Sequence, residues 1–250
     1  MDLKVKIYAD GANLSDIKSL AEKPWIKGFT TNPTLMRKAG VTDYKEFSFE
    51  ALKIVGDRPI SFEVFADDLE TMEKQALEIA RWGKNVYVKI PVMNTKREFT
   101  GTIIKSLAAA GVKLNITAIF TEEQIREVTA CLDKETAAIV SVFAGRIADT
   151  GVDPLPLMTE AKKIMSSKPK AELLWASPRE ILNLIHAEQS GCDIITATSD
   201  ILAKLSLFGK DLFDYSQETV EMFYRDAKAS AYNIITDERD NVVQLTAKIA

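Results

Sequence analysis

The residue in this sequence most suited to covalent chemistry is Lys89, which lies in the apolar run Val86–Pro91. Residues 86–90 predict a buried strand that follows a turn at residues 82–85 and stops at Pro91. Lysine is seldom buried because its ammonium loses hydration, and burial lowers the pKa of such a side chain. A neutral amine attacks carbonyl carbons and forms Schiff bases. The alternative, given equal weight, is that Lys89 reaches the strand end and only its methylenes pack.

Two carboxylates also stand in strand-like surroundings. Asp10 ends the first predicted strand, and Glu63 stands between Phe62 and Val64 in another. A carboxylate after a strand is most often a helix N-cap, and that is the favoured interpretation of Asp10 on its own. A carboxylate within an apolar run needs a partner, and Lys89 is the obvious one. A structural ion pair is therefore the strongest alternative to a catalytic role for Glu63.

Composition narrows the class of protein. With 250 residues, 46% apolar and 27% charged, the chain suits one large α/β domain. The net charge of −4 gives no attraction to nucleic acid or to anionic membranes, and no apolar run would cross a bilayer. The start Met1–Lys4 leads directly into a strand, so we expect no signal peptide. Cys131 and Cys192 fit neither a disulfide framework nor a metal site, and His186 is the sole histidine, so we expect a cytoplasmic protein without a His-rich metal centre.

The elements that position these residues alternate regularly along the chain. Strands are predicted at Lys4–Asp10, Gly28–Thr31, Ile60–Phe65, Val86–Ile90, Lys113–Thr117, Ala138–Phe143, Ala171–Ala176 and Asp193–Ala197. Helices are predicted at Ala12–Glu22, Pro33–Gly40, Tyr44–Val55, Leu69–Trp82, Thr100–Ala110, Glu122–Leu132, Pro154–Ser166, Pro178–Ser190 and Ser199–Phe208. Eight β/α pairs predict a single-domain (β/α)8 TIM barrel over residues 1–210. A doubly wound open sheet is the alternative, but no Gly-x-Gly-x-x-Gly follows the first strand.

A parallel barrel brings the carboxyl ends of its strands to one face, where active sites lie. Nearly every predicted strand end carries a polar side chain: Asp10, Asn32, Glu63, Lys89, Asn115, Thr117, Ser141, Ser177 and Arg179. Single members have simpler explanations, because Asn32 before Pro33 is typical of a helix cap and Ser141 could fill a small gap in the core. Those explanations do not account for the repetition around the barrel.

Seven segments of the chain together carry a family resemblance. In chain order they are Tyr8–Leu14, Gly28–Leu35, Ser61–Val64, Val88–Pro91, Leu114–Thr121, Val140–Ile147 and Ala176–Arg179. With these segments the chain resembles the transaldolase family, in the compact bacterial and archaeal form that includes fructose-6-phosphate aldolase, from about Leu3 to Phe208. The resemblance implies a barrel enzyme that acts on small sugar phosphates through a Schiff base, with no metal or organic cofactor.

The resemblance also implies roles for individual residues. Lys89 is the amine that attacks the C2 ketone of a ketose phosphate, and Asp10 takes the C4 hydroxyl proton while the C3–C4 bond breaks. Glu63 and Thr117 hold a water that shuttles protons during imine formation and hydrolysis. The hydroxyls of the three-carbon fragment are bound by Asn32, Asn115 and Ser141.

The phosphate at the far end of the substrate is assigned to Arg146, Ser177 and Arg179. An Arg guanidinium presents a fork of donors that matches phosphate oxygens. Ser177 is expected to open the helix over residues 178–190, and the N-terminal amides of a helix attract an anion.

Two positions bear on the reaction type. In the resemblance, an acid at Glu63 and phenylalanine at Phe143 are typical of transaldolases, whereas aldolases that release free dihydroxyacetone tend to carry glutamine and tyrosine. Phe143 has no hydroxyl with which to assist protonation of a carbanion. We therefore expect transfer of a dihydroxyacetone unit between sugar phosphates, as in the pentose phosphate pathway, with Phe143 in contact with the substrate.

Two other functions stay open at this point. Pro178 stands where the family often has a bulky apolar residue, and Trp175 stands where a small one is common. Both positions flank the expected anion site, so a fructose-6-phosphate aldolase, or an enzyme acting on a modified sugar such as a sulfonated one, is the first alternative. The second is a catalytically silent barrel that binds sugar phosphates, although such a protein has no need of proton-transfer residues.

The C-terminal part, residues 211–250, has its own pattern. Asp214–Lys228 predicts a helix rich in tyrosine and phenylalanine, and Ile234–Ala250 is charged and then β-like, with no assigned place. In compact members of the family a terminal helix reaches the next subunit. The resemblance therefore implies a homo-oligomer, either a dimer or a decamer.

Overall fold

Eight short strands form the centre of the molecule, whose computed structural model describes residues 3–234. They are Lys6–Asp10 (β1), Ile26–Thr30 (β2), Ile60–Glu63 (β3), Val86–Pro91 (β4), Leu114–Ile119 (β5), Ala138–Val142 (β6), Ala171–Trp175 (β7) and Ile194–Thr198 (β8). Each strand pairs in parallel with the next, and β1 pairs with β8, so the sheet closes. This closure confirms the predicted (β/α)8 barrel and excludes the open sheet.

Helices connect the strands around the barrel. They are Leu14–Ala21 (α1), Pro33–Lys38 (α2), Tyr44–Val55 (α3), Leu69–Ala80 (α4), Gly101–Ala109 (α5), Glu122–Cys131 (α6), Ala144–Asp149 (α7), Leu155–Ile164 (α8), Asn183–Gln189 (α9) and Ser199–Ala203 (α10), with 3-10 turns at Met165–Ser167 and Lys204–Leu207. Polar side chains fix several helix starts: Asn13 caps α1, and Thr121 with Gln124 forms a capping box at α6.

Side chains of each strand alternate between two apolar layers. On β7, Leu173 and Trp175 belong to the large core between the strands and the helices. The intervening Leu174 packs inside the barrel with Tyr8 and Ile194. The barrel interior is filled in this way, whereas polar side chains replace apolar ones at the strand ends.

Two local features differ from the prediction. The strand predicted to end at Phe143 ends at Val142, and a helix that was not predicted, α7, begins at Ala144; Phe143 at its N-cap makes no side-chain cap hydrogen bond that would mark a helix start. The helix predicted over Pro178–Ser190 begins only at Asn183. Pro178 suits a first helical turn, but Ser177 before it has a left-handed backbone with φ of 61°, which directs the chain away from a helix.

The chain divides into two compact units, of which residues 3–205 and 206–234 are described. The second unit contains the helix Leu212–Ala229 (α11), which Asp211 caps. This confirms the predicted C-terminal helix. The division of the chain at residue 210 into a catalytic barrel and a C-terminal part that contacts another subunit stays a prediction. Except for Ile234 itself, the β-like segment predicted over Ile234–Ala250 lies outside the residues that the structure describes. No helix within residues 3–234 is long and apolar enough to cross a membrane.

Candidate active site

A cavity of about 660 Å³ lies where the strands end. Its walls contain all of the residues that the sequence analysis assigned to catalysis or substrate binding: Asp10, Asn32, Glu63, Lys89, Asn115, Thr117, Ser141, Phe143, Arg146, Ser177 and Arg179. The closed barrel therefore brings together residues that are up to about 170 positions apart in the chain, because parallel strands direct their carboxyl ends to one face.

Lys89 is only 7% exposed, and its side chain points into this cavity. Its Nζ lies 3.2 Å from Glu63 Oε2 and donates to the Thr31 carbonyl oxygen at 3.0 Å. Glu63 and Lys89 are register partners on β3 and β4, which explains why the two side chains meet. The hydroxyl of Tyr44 donates to the Glu63 carbonyl oxygen at 2.9 Å and anchors this strand end. The amine is thus buried beside a carboxylate.

Asp10 is held by hydrogen bonds that sequence reasoning did not identify. Thr30 Oγ1 donates to Asp10 Oδ1 at 2.8 Å, and the Thr30 and Thr196 hydroxyl oxygens are 2.5 Å apart. Burial raises the pKa of the Asp10 carboxyl, and the positive charge of Lys89 opposes that rise without cancelling it. The N-cap interpretation of Asp10 is wrong, because Asn13 caps α1.

Asn32 serves both of the purposes considered for it. Its Oδ1 accepts from the Leu35 backbone amide at 3.0 Å and caps α2, with Pro33 in the first turn. Its Nδ2 faces Asp10 Oδ2 at 3.5 Å, a long contact. The cap fixes the Asn32 side chain, so its amide nitrogen stays directed at the cavity.

A chain of side-chain hydrogen bonds crosses the barrel beside Lys89. Ser141 Oγ donates to Asn115 Oδ1 at 2.6 Å, and Asn115 Nδ2 donates to Ser61 Oγ at 2.9 Å. All three residues are buried. Ser61 lay in one of the recognised segments, but its own spacing carried no signal of this contact.

Thr117 has a buried hydroxyl without a hydrogen-bond partner among the described residues. The next residue, Ala118, has a left-handed backbone with φ of 59°, and the pairing of β5 with β6 is irregular here. A buried hydroxyl in a cavity wall is free to bind a water or a substrate atom.

Two arginines, Arg146 and Arg179, also line the cavity. The guanidinium carbon of Arg146 lies 5.1 Å from the centre of the Phe143 ring. Arg179 Nε lies 2.9 and 3.0 Å from the two carboxylate oxygens of Asp149, and its Nη2 also contacts Asp149. This pairing lowers the pKa of Asp149. Arg179 is therefore held along one edge of its guanidinium, and within residues 3–234 its Nη1 has no hydrogen-bond partner.

The expectation that helix amides at Ser177 help to bind the anion is wrong. The helix begins at Asn183, and the Asn183 side chain already accepts from the backbone amides of Arg179 and Glu180. Trp175, a departure from the family pattern, is 1% exposed and packs in the outer core, so it does not line the cavity. Pro178 does line it.

The two arginine-bearing segments touch each other at Gly145. Its amide donates to the Ala176 carbonyl oxygen at 3.3 Å. A Cβ at position 145 would lie 1.6 Å from the Ser177 carbonyl oxygen. Only glycine permits this approach, which fixes α7 against the segment that follows β7.

The chain is similar to known proteins over most of its length. Residues 7–246 match the family described as Transaldolase/Fructose-6-phosphate aldolase. A "Probable transaldolase" of Methanococcus maripaludis strain C7 is 36% identical over 226 residues, which are 90% of this chain and 98% of that protein. A "Probable transaldolase 2" of Listeria monocytogenes is 35% identical over 202 residues, 80% of this chain and 88% of that protein.

Solved structures with low sequence identity share the fold. Dihydrodipicolinate synthase from Rhodopseudomonas palustris has a TM-score of 0.52 and 14% identity, and covers 77% of this chain and 69% of its own. A 2,3-dimethylmalate lyase has a TM-score of 0.52 and 12% identity, with coverage of 98% and 94%. At such identities the likeness shows the barrel alone.

Proposed function

The chain belongs to the transaldolase/fructose-6-phosphate aldolase family and is an enzyme of the transaldolase type, and we propose that it transfers a dihydroxyacetone unit through a Schiff base on Lys89. The donor is a ketose phosphate, fructose 6-phosphate or sedoheptulose 7-phosphate, and the acceptor is an aldose phosphate such as erythrose 4-phosphate. The observation that carries the proposal is the buried Lys89 amine, 3.2 Å from the Glu63 carboxylate in a cavity that Asp10 also lines.

Imine formation uses Lys89, Glu63 and Thr117. Glu63 accepts a proton from the Lys89 ammonium, and the free amine then attacks the C2 carbonyl carbon of the ketose. The resulting carbinolamine loses water when its hydroxyl is protonated. A water held between Glu63 and the Thr117 hydroxyl, which has no hydrogen-bond partner in the described part of the chain, carries these protons in both directions.

Carbon–carbon cleavage uses Asp10. The protonated imine at C2 accepts the electron pair of the C3–C4 bond, while Asp10 takes the proton of the C4 hydroxyl, so an aldehyde leaves and an enamine remains on Lys89. In the second half, C3 attacks the acceptor aldehyde and Asp10 returns its proton to the new hydroxyl. The raised pKa of Asp10 suits a group that both takes and returns a proton.

The remaining residues hold the substrate. Asn32, Asn115 and Ser141 bind the hydroxyls of the three-carbon fragment and keep it oriented until the acceptor arrives. At the far end of the cavity, Arg146 and Arg179 bind the phosphate, with the Ser177 hydroxyl beside them. Phe143 supplies a wall without a proton donor, which favours transfer over release of free dihydroxyacetone.

Borohydride trapping tests the central step. We expect incubation with fructose 6-phosphate and borohydride to add one three-carbon fragment to the peptide that contains Lys89. Lys89→Ala abolishes both the adduct and turnover, and so does Lys89→Arg, since a guanidinium stays protonated. Lys53→Ala, at an exposed lysine of α3, is the matched control. An adduct on a lysine other than Lys89 would overturn the mechanism.

A second candidate is an aldolase or transaldolase of a sugar with a different distal anion, such as a sulfonate. Pro178 favours it, because this departure from the family pattern lines the cavity beside Ser177. Comparing kcat/KM for phosphorylated and sulfonated sugars separates the two substrates, and assaying dihydroxyacetone without an acceptor separates transfer from release. We further propose a cytoplasmic homo-oligomer, dimer or decamer, that serves the pentose phosphate pathway; analytical ultracentrifugation would measure its stoichiometry.

A further inference from the structure

We propose that Asn183 is a positioning residue that sets the affinity for the distal anion by holding the backbone of Arg179. The inference rests on the proposed function, because it assumes that Arg179 binds the anion of the substrate. Asn183 lies outside every segment that carries the family resemblance and does not line the cavity. Its effect is therefore indirect, through the segment that connects β7 to α9.

Asn183 connects the first turn of α9 to the segment before it. The side chain is 8% exposed, and its Oδ1 accepts from the Arg179 amide at 2.7 Å and from the Glu180 amide at 3.2 Å. One buried carboxamide thus satisfies two backbone donors of a segment that has no regular secondary structure. Such a clamp removes freedom that the Arg179 backbone would otherwise have.

The two backbone donors fix the orientation of the Asn183 amide, and His186 lies at its other end. Because Oδ1 faces two backbone donors, Nδ2 is the atom that faces His186 Nδ1, at 3.3 Å. An amide nitrogen only donates, so Nδ1 accepts and the neutral ring carries its proton on Nε2. The ring packs against Trp175, with centroids 6.2 Å apart. The only histidine of the chain therefore takes part in this arrangement.

Arg179 is consequently held at both ends. Asn183 holds its backbone amide, and Asp149 holds the Nε and Nη2 edge of its guanidinium. With both ends held, the Arg179 side chain is restricted in the cavity wall that it shares with Arg146. A pre-oriented guanidinium loses little freedom on binding, which raises affinity for the anion without touching the reacting carbon atoms.

Two acceptors distinguish positioning from general stabilisation. The test acceptors are erythrose 4-phosphate and D-erythrose, with fructose 6-phosphate as the donor. In a ping-pong reaction, kcat/KM for an acceptor does not depend on the donor, so the two acceptors can be compared directly. Asn183→Leu removes both hydrogen bonds at similar volume. We expect KM for erythrose 4-phosphate to rise about tenfold, which corresponds to roughly 1.4 kcal/mol, with kcat within about twofold and kcat/KM for D-erythrose unchanged.

Asn183→Asp keeps the acceptor oxygen for the two backbone amides but places a second carboxylate oxygen against His186 Nδ1, so it should restore only part of the affinity. If Asn183→Leu does not fold, Asn183→Ser retains a short polar side chain and should give an intermediate KM. On an Arg179→Ala background, Asn183→Leu should have no additional effect on KM, since both changes act through the same guanidinium. Equal losses for both acceptors, or additive effects in the double variant, would overturn the inference.

Binding without turnover separates this inference from the proposed function. The Kd of erythrose 4-phosphate, measured by titration, should be about tenfold weaker for Asn183→Leu, while borohydride trapping of dihydroxyacetone on Lys89 stays unchanged. Failure of the wild-type protein to form the Lys89 adduct would refute the proposed function. An equal Kd for wild type and Asn183→Leu would refute the role of Asn183.

Discussion

Gly145→Ala tests whether the contact between α7 and the segment after β7 builds the anion site. Gly145 directly precedes Arg146, and a Cβ there would lie 1.6 Å from the Ser177 carbonyl oxygen and 2.6 Å from its carbonyl carbon. These atoms belong to the backbone, and Ser177 already has a φ of 61°. A rotamer change therefore cannot relieve the overlap.

The size of the effect follows from this distance. A carbon–oxygen contact is comfortable at about 3.3 Å, so helix and segment must separate by about 1.7 Å. Forcing such an extra group into a packed site costs up to about 3 kcal/mol, and the better helix propensity of alanine returns about 1 kcal/mol. The net loss is about 2 kcal/mol, which corresponds to a Tm lower by about 4–8 °C in a chain of this length.

The separation also moves Arg146 away from Arg179. A misplacement of about 1 Å in a positioned group can reduce rate or affinity about a hundredfold, so we expect KM for phosphorylated acceptors to rise far more than KM for D-erythrose. Differential scanning calorimetry and steady-state kinetics measure the two effects.

Gly11→Ala is the matched control for this substitution. Apart from its chain neighbours, no described residue has an atom within 4 Å of the Cβ position at residue 11, so the Tm of this variant should be unchanged or slightly raised. If Gly145→Ala melts at the wild-type temperature and binds phosphorylated acceptors equally well, the two segments are free to move apart, and the close approach does not build the site.

Three other substitutions test the chemistry of the cavity. Burial raises the pKa of the Asp10 carboxyl in the folded protein. The ionised carboxylate therefore lowers the free energy of unfolding at pH values above this folded-state pKa. The loss disappears below the pKa of the unfolded chain, about 3.9, where the carboxyl is protonated in both states. Asp10→Asn should accordingly raise Tm at pH 7 and raise it less towards pH 4; an unchanged Tm at pH 7 contradicts the effect of burial on Asp10. The same variant should still form the trapped imine but should not cleave the carbon–carbon bond. Thr117→Val removes a buried hydroxyl without a partner among the described residues, so stability should hold or rise while imine formation slows by about 10²-fold in stopped-flow trapping; an unchanged rate means that no catalytic water sits there. Phe143→Tyr introduces a phenol into the cavity wall and should increase the release of free dihydroxyacetone when no acceptor is present. Equal release by the variant and the wild type would show that Phe143 does not decide between transfer and release.

Much of the barrel could be predicted from local patterns. Short apolar runs alternate with amphipathic helices, and the ends of parallel strands necessarily meet at one face. That is sufficient to place Lys89 near Glu63, because their strands are consecutive and pair in parallel. It does not decide whether the two side chains touch, since this depends on a register that the sequence does not specify.

The connection after β7 was predicted incorrectly for a physical reason. Pro178 followed by an apolar and charged pattern is typical of a first helical turn. The left-handed backbone of Ser177 and the capture of two amides by Asn183 decide otherwise. Ser177 also lies against Gly145, a residue about thirty positions earlier, and no pattern within a local window reports such a contact.

The sequence by itself determined the order of the elements and the residue types at the strand ends, because hydrophobic periodicity and capping act within a few neighbouring residues. Only the tertiary structure decided which polar groups hold the others in place. Thr196 and Thr30 are 166 residues apart, yet their hydroxyls meet beside Asp10. Contacts of this kind exist only after β8 closes onto β1, and therefore closure of the barrel, and not the spacing of residues along the chain, completes the site.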